Sequence, residues 1–241
     1  GEEPFSGLLG PDALFLQGKA SHRLTNYRNS ILKLGQLFTN FPQTPYLEEA
    51  LFLQGVNYLI VGEADRSRDM LDLLEKQFPA SRFQEQAVRT SGDNAYALEE
   101  WAEARDAYRS YLQENADAAD ADEVGLRLAT AHWELREYAD AAAVLEEVVA
   151  RARTAERSFH ARLLRARSLT RLGDTAGAEA LLALLREDAE IYGKQGNVAI
   201  ADAENLLARG DADGAAALLE NMPEEWGARD VKAVAADLLA G

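Results

Sequence analysis

The sequence has no cysteine, few prolines and no long apolar run, and each scarcity excludes a class of structure. Without cysteine, the chain can form no disulfide, no thiolate metal site and no thiol nucleophile. No apolar run approaches the ~18 residues that a membrane-spanning helix needs, so we expect no direct insertion of this segment into a membrane. The six prolines among 241 residues fall mostly between apolar segments, which favours an all-α protein.

Positive charge is also scarce, because 25 Lys and Arg residues face 41 Asp and Glu residues and give a formal net charge of −16. Such a surface repels nucleic-acid phosphates and anionic membranes, so we expect neither as a partner. The balance is uneven: residues 11–84 hold eight basic and eight acidic residues, whereas residues 85–241 hold 17 and 31. Residues 11–84, which carry no net charge, either contact another protein or differ from the rest only because the repeats have diverged in sequence.

A 37-residue step relates positions along most of the chain. The residues that follow each predicted turn between two helices are Tyr27, Ala64, Trp101, Tyr138, Thr175 and Ala212. Small residues recur on the first helices at Gly18, Gly55, Gly92, Ala129, Ala166 and Ala203, and on the second helices at Ser30, Ser67, Ala104, Ala141, Ala178 and Ala215. Two antiparallel helices approach closely only where both side chains are small. One pair cannot bury its apolar face alone, so neighbouring pairs must stack.

Local signals predict where the helices begin and end. Thr44 is a predicted N-cap with Pro45 at the first helical position, and Ser81 with Gln84 predicts a capping box. Gly62 marks a turn. The predicted repeats are 11–42, 44–79, 81–112, 123–150, 157–186 and 198–222, within 11–225. Residues 1–10 are a lead-in, and an amphipathic helix at 226–239 caps the array within 226–241 or begins a further repeat.

The clearest repeat carries a family resemblance. Leu51, Gln54-Gly55 and Tyr58 on the first helix, followed by Ser67 on the second, resemble the tetratricopeptide repeat. The Phe-Pro segments at 41–44 and 78–81 resemble the repeats of bacterial outer-membrane-associated proteins, such as the lipoprotein of the barrel-assembly machinery and the periplasmic Tol–Pal coordinator.

The resemblance implies an all-α, right-handed α-solenoid (superhelix) of about six helix pairs with a C-terminal capping helix. It implies a scaffold that binds a peptide or protein along its concave surface, in the assembly or coordination of the bacterial envelope. It also implies a periplasmic location, in association with the outer membrane, and leaves a cytoplasmic location open. The alternative is a spacer or dimerisation segment of a larger protein.

The first helices supply the predicted partner-binding residues, which combine aromatic and apolar side chains with cations that can hold carboxylates. They are Phe15, Lys19, Arg23, Phe52, Val56, Arg89, Tyr96, Arg127, Trp133 and Arg167. A second interpretation stays open, in which the apolar members contact the adjacent first helix and belong to the core.

Nothing in the sequence predicts catalysis or metal binding. His22, His132 and His160 have no second ligand at i+4, and the acidic stretch 113–123 lacks the glycine and the spacing of a calcium loop. No Gly-rich phosphate loop precedes Lys and Ser or Thr. We therefore expect no enzyme activity, no cofactor and no metal.

Overall fold

The structure, a computed structural model, describes residues 9–226, and within these residues it contains α-helices, one short 3-10 helix and no β-strand. The helices are α1 (Pro11–Arg23), α2 (Tyr27–Asn40), α3 (Leu47–Ile60), α4 (Ala64–Gln77), α5 (Gln84–Ala97), α6 (Trp101–Glu114), α7 (Ala121–Glu134), α8 (Tyr138–Arg151), α9 (Ala155–Arg171), α10 (Thr175–Tyr192), α11 (Gln195–Ala208) and α12 (Ala212–Glu220), with the 3-10 helix at Glu224–Trp226. None of these helices is long and apolar enough to cross a membrane.

The second helices begin at the six residues that the 37-residue step picks out. Two residues before each start, the backbone adopts a positive φ at Thr25, Gly62, Glu99, Arg136, Gly173 and Gly210. The next residue then donates its N–H to a carbonyl five positions back, as Glu63 does to Tyr58 at 2.8 Å. This left-handed C-terminal cap satisfies orphan carbonyls of the first helix and reverses the chain.

The chain divides into two compact units, Gly1–Tyr111 and Leu112–Gly241. In the first unit, α1 packs on α2 and α3 packs on α4 through the small residues predicted for this role. A Cβ on Gly18 would lie 2.6 Å from Cδ2 of the buried Leu34. The Ser30 hydroxyl donates to the Gly18 carbonyl at 2.8 Å, and Ser67 donates to Gly55 at 2.7 Å. The small residues therefore set the distance between paired helices.

In the second unit, alanine takes the place of glycine and serine at the same positions. Ala129 and Ala141 are fully buried in α7 and α8, and Ala166 and Ala178 are fully buried in α9 and α10. Phe159 is fully buried in this core and packs with apolar residues of the following helices. The unit is thus held by the same pairing of small residues as the first.

Helix α3 begins later than predicted. Thr44 is not its N-cap, since the helix starts at Leu47, and Pro45 lies in the preceding turn. The Thr44 hydroxyl accepts the N–H of Tyr46 at 3.4 Å. The predicted side-chain bond therefore forms, but it closes a turn before the helix and not the helix itself.

The predicted capping box at α5 is wrong for the same reason. Gln84 is the first helical residue, so it cannot act three residues inside the helix. The Ser81 hydroxyl accepts the N–H of Phe83 at 3.1 Å and donates to Glu48 Oε1 at 2.7 Å. Ser81 thus joins the turn to the preceding first helix, a long-range contact that local sequence does not report.

The fifth helix pair is longer than its predicted range of 157–186. Helix α9 begins at Ala155, after Thr154 accepts the N–H of Arg157 at 3.2 Å, and α10 continues to Tyr192. The predicted capping helix lies outside the described residues except for Trp226, and so do residues 1–8 of the predicted lead-in.

Candidate functional site

Phe15, the first predicted partner-binding residue, lies in the core of the first unit. It is 5% exposed, and its ring stacks on Tyr46 with centroids 4.4 Å apart and an interplanar angle of 7°. Lys19 Nζ lies 5.6 Å from the Phe15 centroid and 2.5 Å from Glu49 Oε1. Phe15 therefore has little surface left for a partner, as the second interpretation of the apolar positions predicts.

Phe52 repeats this arrangement one step later. Its ring stacks on Phe83 with centroids 4.8 Å apart and an interplanar angle of 9°, and the Arg82 guanidinium lies 4.7 Å from the Phe83 centroid. Phe52 and its neighbour Val56 are both partly buried, so each keeps some exposed surface. The two stacked pairs fix each first helix against the turn that opens the next repeat.

The other predicted residues of the first unit are more accessible. Arg23 is exposed in the last turn of α1, where a cation complements the helix carbonyls. Arg89 is partly buried, with Nε 3.9 Å from Asp93 Oδ2. Tyr96 is partly buried and meets Trp101 edge-on at 5.2 Å. These residues present mixed aromatic and charged chemistry without a catalytic arrangement.

In the second unit, Trp133 lies at the centre of a cluster of charged residues. The guanidinium carbons of Arg167 and Arg171 lie 5.0 and 5.9 Å from the Trp133 ring centroid, and Tyr138 packs edge-on at 4.9 Å. Both arginines project from α9, whereas Trp133 projects from α7. We call Trp133, Arg167, Arg171 and Glu204 the Trp133 cluster.

Glu204 of α11 holds the two arginines of the cluster in place. Arg167 donates from Nε and Nη2 to its two carboxylate oxygens at 2.7 and 2.8 Å, and Arg171 donates at 3.2 Å. Burial lowers the pKa of Arg167, but the hydrogen bonds and the charge of Glu204 outweigh it and raise that pKa above its ordinary value. Glu204 is only 7% exposed, so the cluster is organised before any partner arrives.

Arg127 belongs to a second set of ion pairs in this unit. It donates to Glu123 Oε1 at 2.8 Å, and Arg157 bridges Glu123 at 3.5 Å and Asp122 at 2.8 Å. Burial raises the pKa of Asp122, but Arg157 and the Arg153 N–H stabilise the carboxylate and leave its pKa below the usual range. Asp122 therefore joins α7 to the turn between α8 and α9, a structural role that the sequence analysis missed.

Most of the predicted cations thus already face carboxylates of their own chain. Lys19, Arg89, Arg127 and Arg167 each lie within 4 Å of an acidic side chain. The physical reason is the excess of acidic residues, which places a carboxylate within reach of most arginines. A partner carboxylate must compete with these pairs. They are partly buried, so the value of about 0–1 kcal/mol that holds for exposed ion pairs does not describe them.

Arg171 and Glu204 are the members of the Trp133 cluster that the sequence analysis did not select. Glu204 lies one 37-residue step after Arg167, at the same position of the next first helix. Because Arg167 and Glu204 carry opposite charges at equivalent positions of consecutive repeats, their pairing could have been predicted from the sequence. Arg171 lies one turn after Arg167 on α9, which brings it to the same face.

Comparison with known proteins shows similarity in structure and not in sequence. No family model matches the chain, and no curated protein matches its sequence. PilF of Pseudomonas aeruginosa is 14% identical over 94% of this chain and 97% of its own, with a TM-score of 0.61. PilW, described as a widely conserved type IV pilus biogenesis factor, is 15% identical over 93% and 97%, with a TM-score of 0.61. A tetratricopeptide repeat protein from Parabacteroides merdae is 16% identical over 98% and 85%, with a TM-score of 0.51.

These likenesses agree with the helix pairs and their small-residue contacts. The fold is that of tetratricopeptide-repeat proteins, in the all-α, α-solenoid class.

Proposed function

We propose that the chain is a protein-interaction scaffold that binds a peptide or protein through its first-helix surfaces. The observation that carries this proposal is the Trp133 cluster, in which a partly exposed indole lies close to two arginines. Trp and Arg are the residues most enriched among the energetically dominant contacts of protein interfaces. We propose a non-catalytic role. The proposed scaffold consists of the repeats within 11–225 and a C-terminal cap at 226–241.

The chemistry of the cluster indicates which ligand it fits. The Arg171 side chain is 46% exposed, so its guanidinium can donate to a second carboxylate while Nη2 donates to Glu204. The Trp133 ring offers an apolar surface beside it. A partner segment with an acidic group next to an apolar side chain meets both features. Because the arginines are already ordered, binding costs less side-chain entropy than it would for free arginines.

In the first unit, the residues with exposed surface extend the proposal. The predicted residues on first helices that remain partly or fully exposed are Lys19, Arg23, Phe52, Val56, Arg89 and Tyr96. Phe15 is omitted because its ring is buried against Tyr46. We propose these residues as secondary contacts, weaker than those at Trp133.

The proposal is tested by affinity capture with quantitative mass spectrometry, using the wild-type chain and two variants. Arg171→Ala removes the exposed guanidinium of the cluster and should reduce recovery of specific partners. Arg165→Ala is the matched control, because Arg165 also projects from α9 and pairs with a glutamate, Glu146 at 2.8 Å. Equal recovery with both variants would refute a binding role for the cluster.

We further propose a role in bacterial envelope assembly or coordination, in the periplasm and in association with the outer membrane. The Phe-Pro turns at 41–44 and 78–81 support it through their resemblance to envelope proteins. The similarity in fold to PilW, a type IV pilus biogenesis factor, also supports the proposal. Fractionation of cells that express the full gene product tests this role, and recovery in the cytosol alone would contradict it.

A second candidate function is dimerisation, and exposed leucines in the first helix pair favour it. Leu16, Leu24 and Leu32 are 62%, 77% and 55% exposed. Burial of these side chains against a second copy would remove apolar surface from water. Light scattering after size-exclusion chromatography tests dimerisation. If the chain dimerises through these leucines, the wild type should be a dimer and Leu24→Ser should be a monomer.

A further inference from the structure

We propose that His132, Glu137 and Asp140 form a binding site for a first-row divalent transition-metal ion such as Zn²⁺, at the turn between α7 and α8. One ligand atom from each residue lies within 4.8 Å of the others. His132 is 3% exposed, Glu137 is partly buried and Asp140 is exposed. The site shares no residue with the Trp133 cluster, and it would give the proposed scaffold a bound metal ion.

The turn itself brings these residues together. Arg136 adopts a positive φ of 61°, and the Glu137 N–H donates to the His132 carbonyl at 2.8 Å. This reversal returns Glu137 beside His132, where its Oε2 lies 2.6 Å from His132 Nδ1. Glu137 is the N-cap residue of α8, and Asp140 follows three residues later in the first turn of that helix. A ligand search at i+4 misses this set, because the spacing is i+5 and i+8 across a left-handed turn.

The ligand types match the proposed ion. Zn²⁺ binds imidazole nitrogen and carboxylate oxygen at about 2.0–2.2 Å, which places ligand atoms of one tetrahedral ion about 3.3 Å apart. The ligand atoms of the three residues all lie within 4.8 Å of one another, and His132 Nδ1 and Glu137 Oε2 are hydrogen-bonded at 2.6 Å. An ion at this site replaces that hydrogen bond, and rotation of the Glu137 and Asp140 side chains adjusts the spacing. One imidazole with two carboxylates favours a transition metal over Mg²⁺ or Ca²⁺, which prefer oxygen ligands alone. Three protein ligands leave a fourth position open for water or a partner side chain.

The preceding repeat supplies a matched control. Glu100 and Glu103 lie one 37-residue step before Glu137 and Asp140, but Ala95 lies where His132 would be. The two turns share the same left-handed cap. Metal binding should therefore depend on the carboxylates of the later turn only.

The experiment is calorimetric titration of the purified, chelator-treated chain with Zn²⁺, and with Mg²⁺ in parallel. We expect saturable binding of one Zn²⁺ per chain and no saturable heat with Mg²⁺. Asp140→Asn and Glu137→Gln should each weaken Zn²⁺ binding at least about tenfold. Glu103→Gln should leave it unchanged.

Histidine ring NMR provides a second readout on the unmodified chain, which contains three histidines. Zn²⁺ should shift the ring resonances of His132 and leave those of His22 and His160 in place. Absence of saturable binding, or equal weakening by Glu103→Gln and Asp140→Asn, would overturn the proposal. A response at His22 or His160 in place of His132 would overturn it as well. Because Asp140 is exposed, its variant tests the site without a risk to the buried core.

Discussion

The close approach of α1 and α2 predicts that Gly18 cannot be replaced even by alanine without loss of stability. An added Cβ would lie 2.6 Å from Leu34 Cδ2 and 2.7 Å from Leu34 Cγ. Leu34 is 0% exposed, so its side chain cannot move out into solvent to relieve the contact. The helices must separate or Leu34 must leave its preferred rotamer.

The magnitude follows from two opposing effects on the free energy of unfolding. Overpacking of this kind costs about 1–3 kcal/mol. Replacing glycine by alanine inside a helix returns about 1 kcal/mol through helix propensity. We therefore expect Gly18→Ala to destabilise the chain by about 1 kcal/mol.

Gly35 provides the matched control, since it lies inside α2 and an added Cβ would meet nothing within 4 Å. Gly35→Ala should stabilise the chain by about 1 kcal/mol. Because the propensity gain is common to both variants, their difference of about 2 kcal/mol isolates the helix contact. Urea unfolding followed by far-UV circular dichroism measures it. A Gly18→Ala variant as stable as Gly35→Ala would refute the packing account.

Three further predictions concern stability. Arg136 has a positive φ of 61°, so Arg136→Gly should stabilise the chain by about 0.5–1 kcal/mol in thermal melts, whereas Gly173→Ala at the equivalent turn should destabilise it. Asn94 is 1% exposed and neither polar atom of its side chain has a hydrogen-bond partner, so Asn94→Leu should raise the unfolding midpoint. Asn57 occupies the same position one repeat earlier and is hydrogen-bonded to His22 and Ser30, so Asn57→Leu should lower the midpoint. The Asp122 carboxylate has a lowered pKa in the folded chain, so it stabilises the fold above the unfolded-state pKa of about 4. The stability lost in Asp122→Asn should therefore be largest near neutral pH and should vanish as pH falls through the folded-state pKa.

The parts of the fold that depend on close backbone contact were predictable from the sequence. Only a small residue fits where two helices touch, so Gly55 and Ser67 predicted both the pairing of α3 with α4 and the positions at which the two helices meet. The turns at Glu99 and Arg136 were located by the 37-residue step and not by a local signal, because these residues occupy left-handed positions where glycine is expected. The starts of α3 and α5 were misplaced because Thr44 and Ser81 cap turns instead of helices.

Two of the four residues of the candidate site, Trp133 and Arg167, were predicted from the sequence. Trp133 follows from its place on a first helix, but the partners of its neighbouring arginines depend on side chains reaching across repeats. The Arg167–Glu204 pair could be anticipated from the 37-residue step. The approach of His132 to Asp140 could not, because it depends on a left-handed turn at a non-glycine residue.

The central claim is that a partner binds at the Trp133 cluster, and site-specific photo-crosslinking tests it most directly. A photoreactive amino acid is placed at the exposed position 134, beside Trp133 and near Arg167, so that all four residues of the Trp133 cluster stay in place. In a second chain it is placed at position 165 of helix α9. Expression in the native host followed by irradiation should give a discrete adduct from position 134 only, and Trp133→Ala should abolish it. Adducts of equal yield from both positions, or an adduct from position 134 that persists in the Trp133→Ala background, would contradict the account.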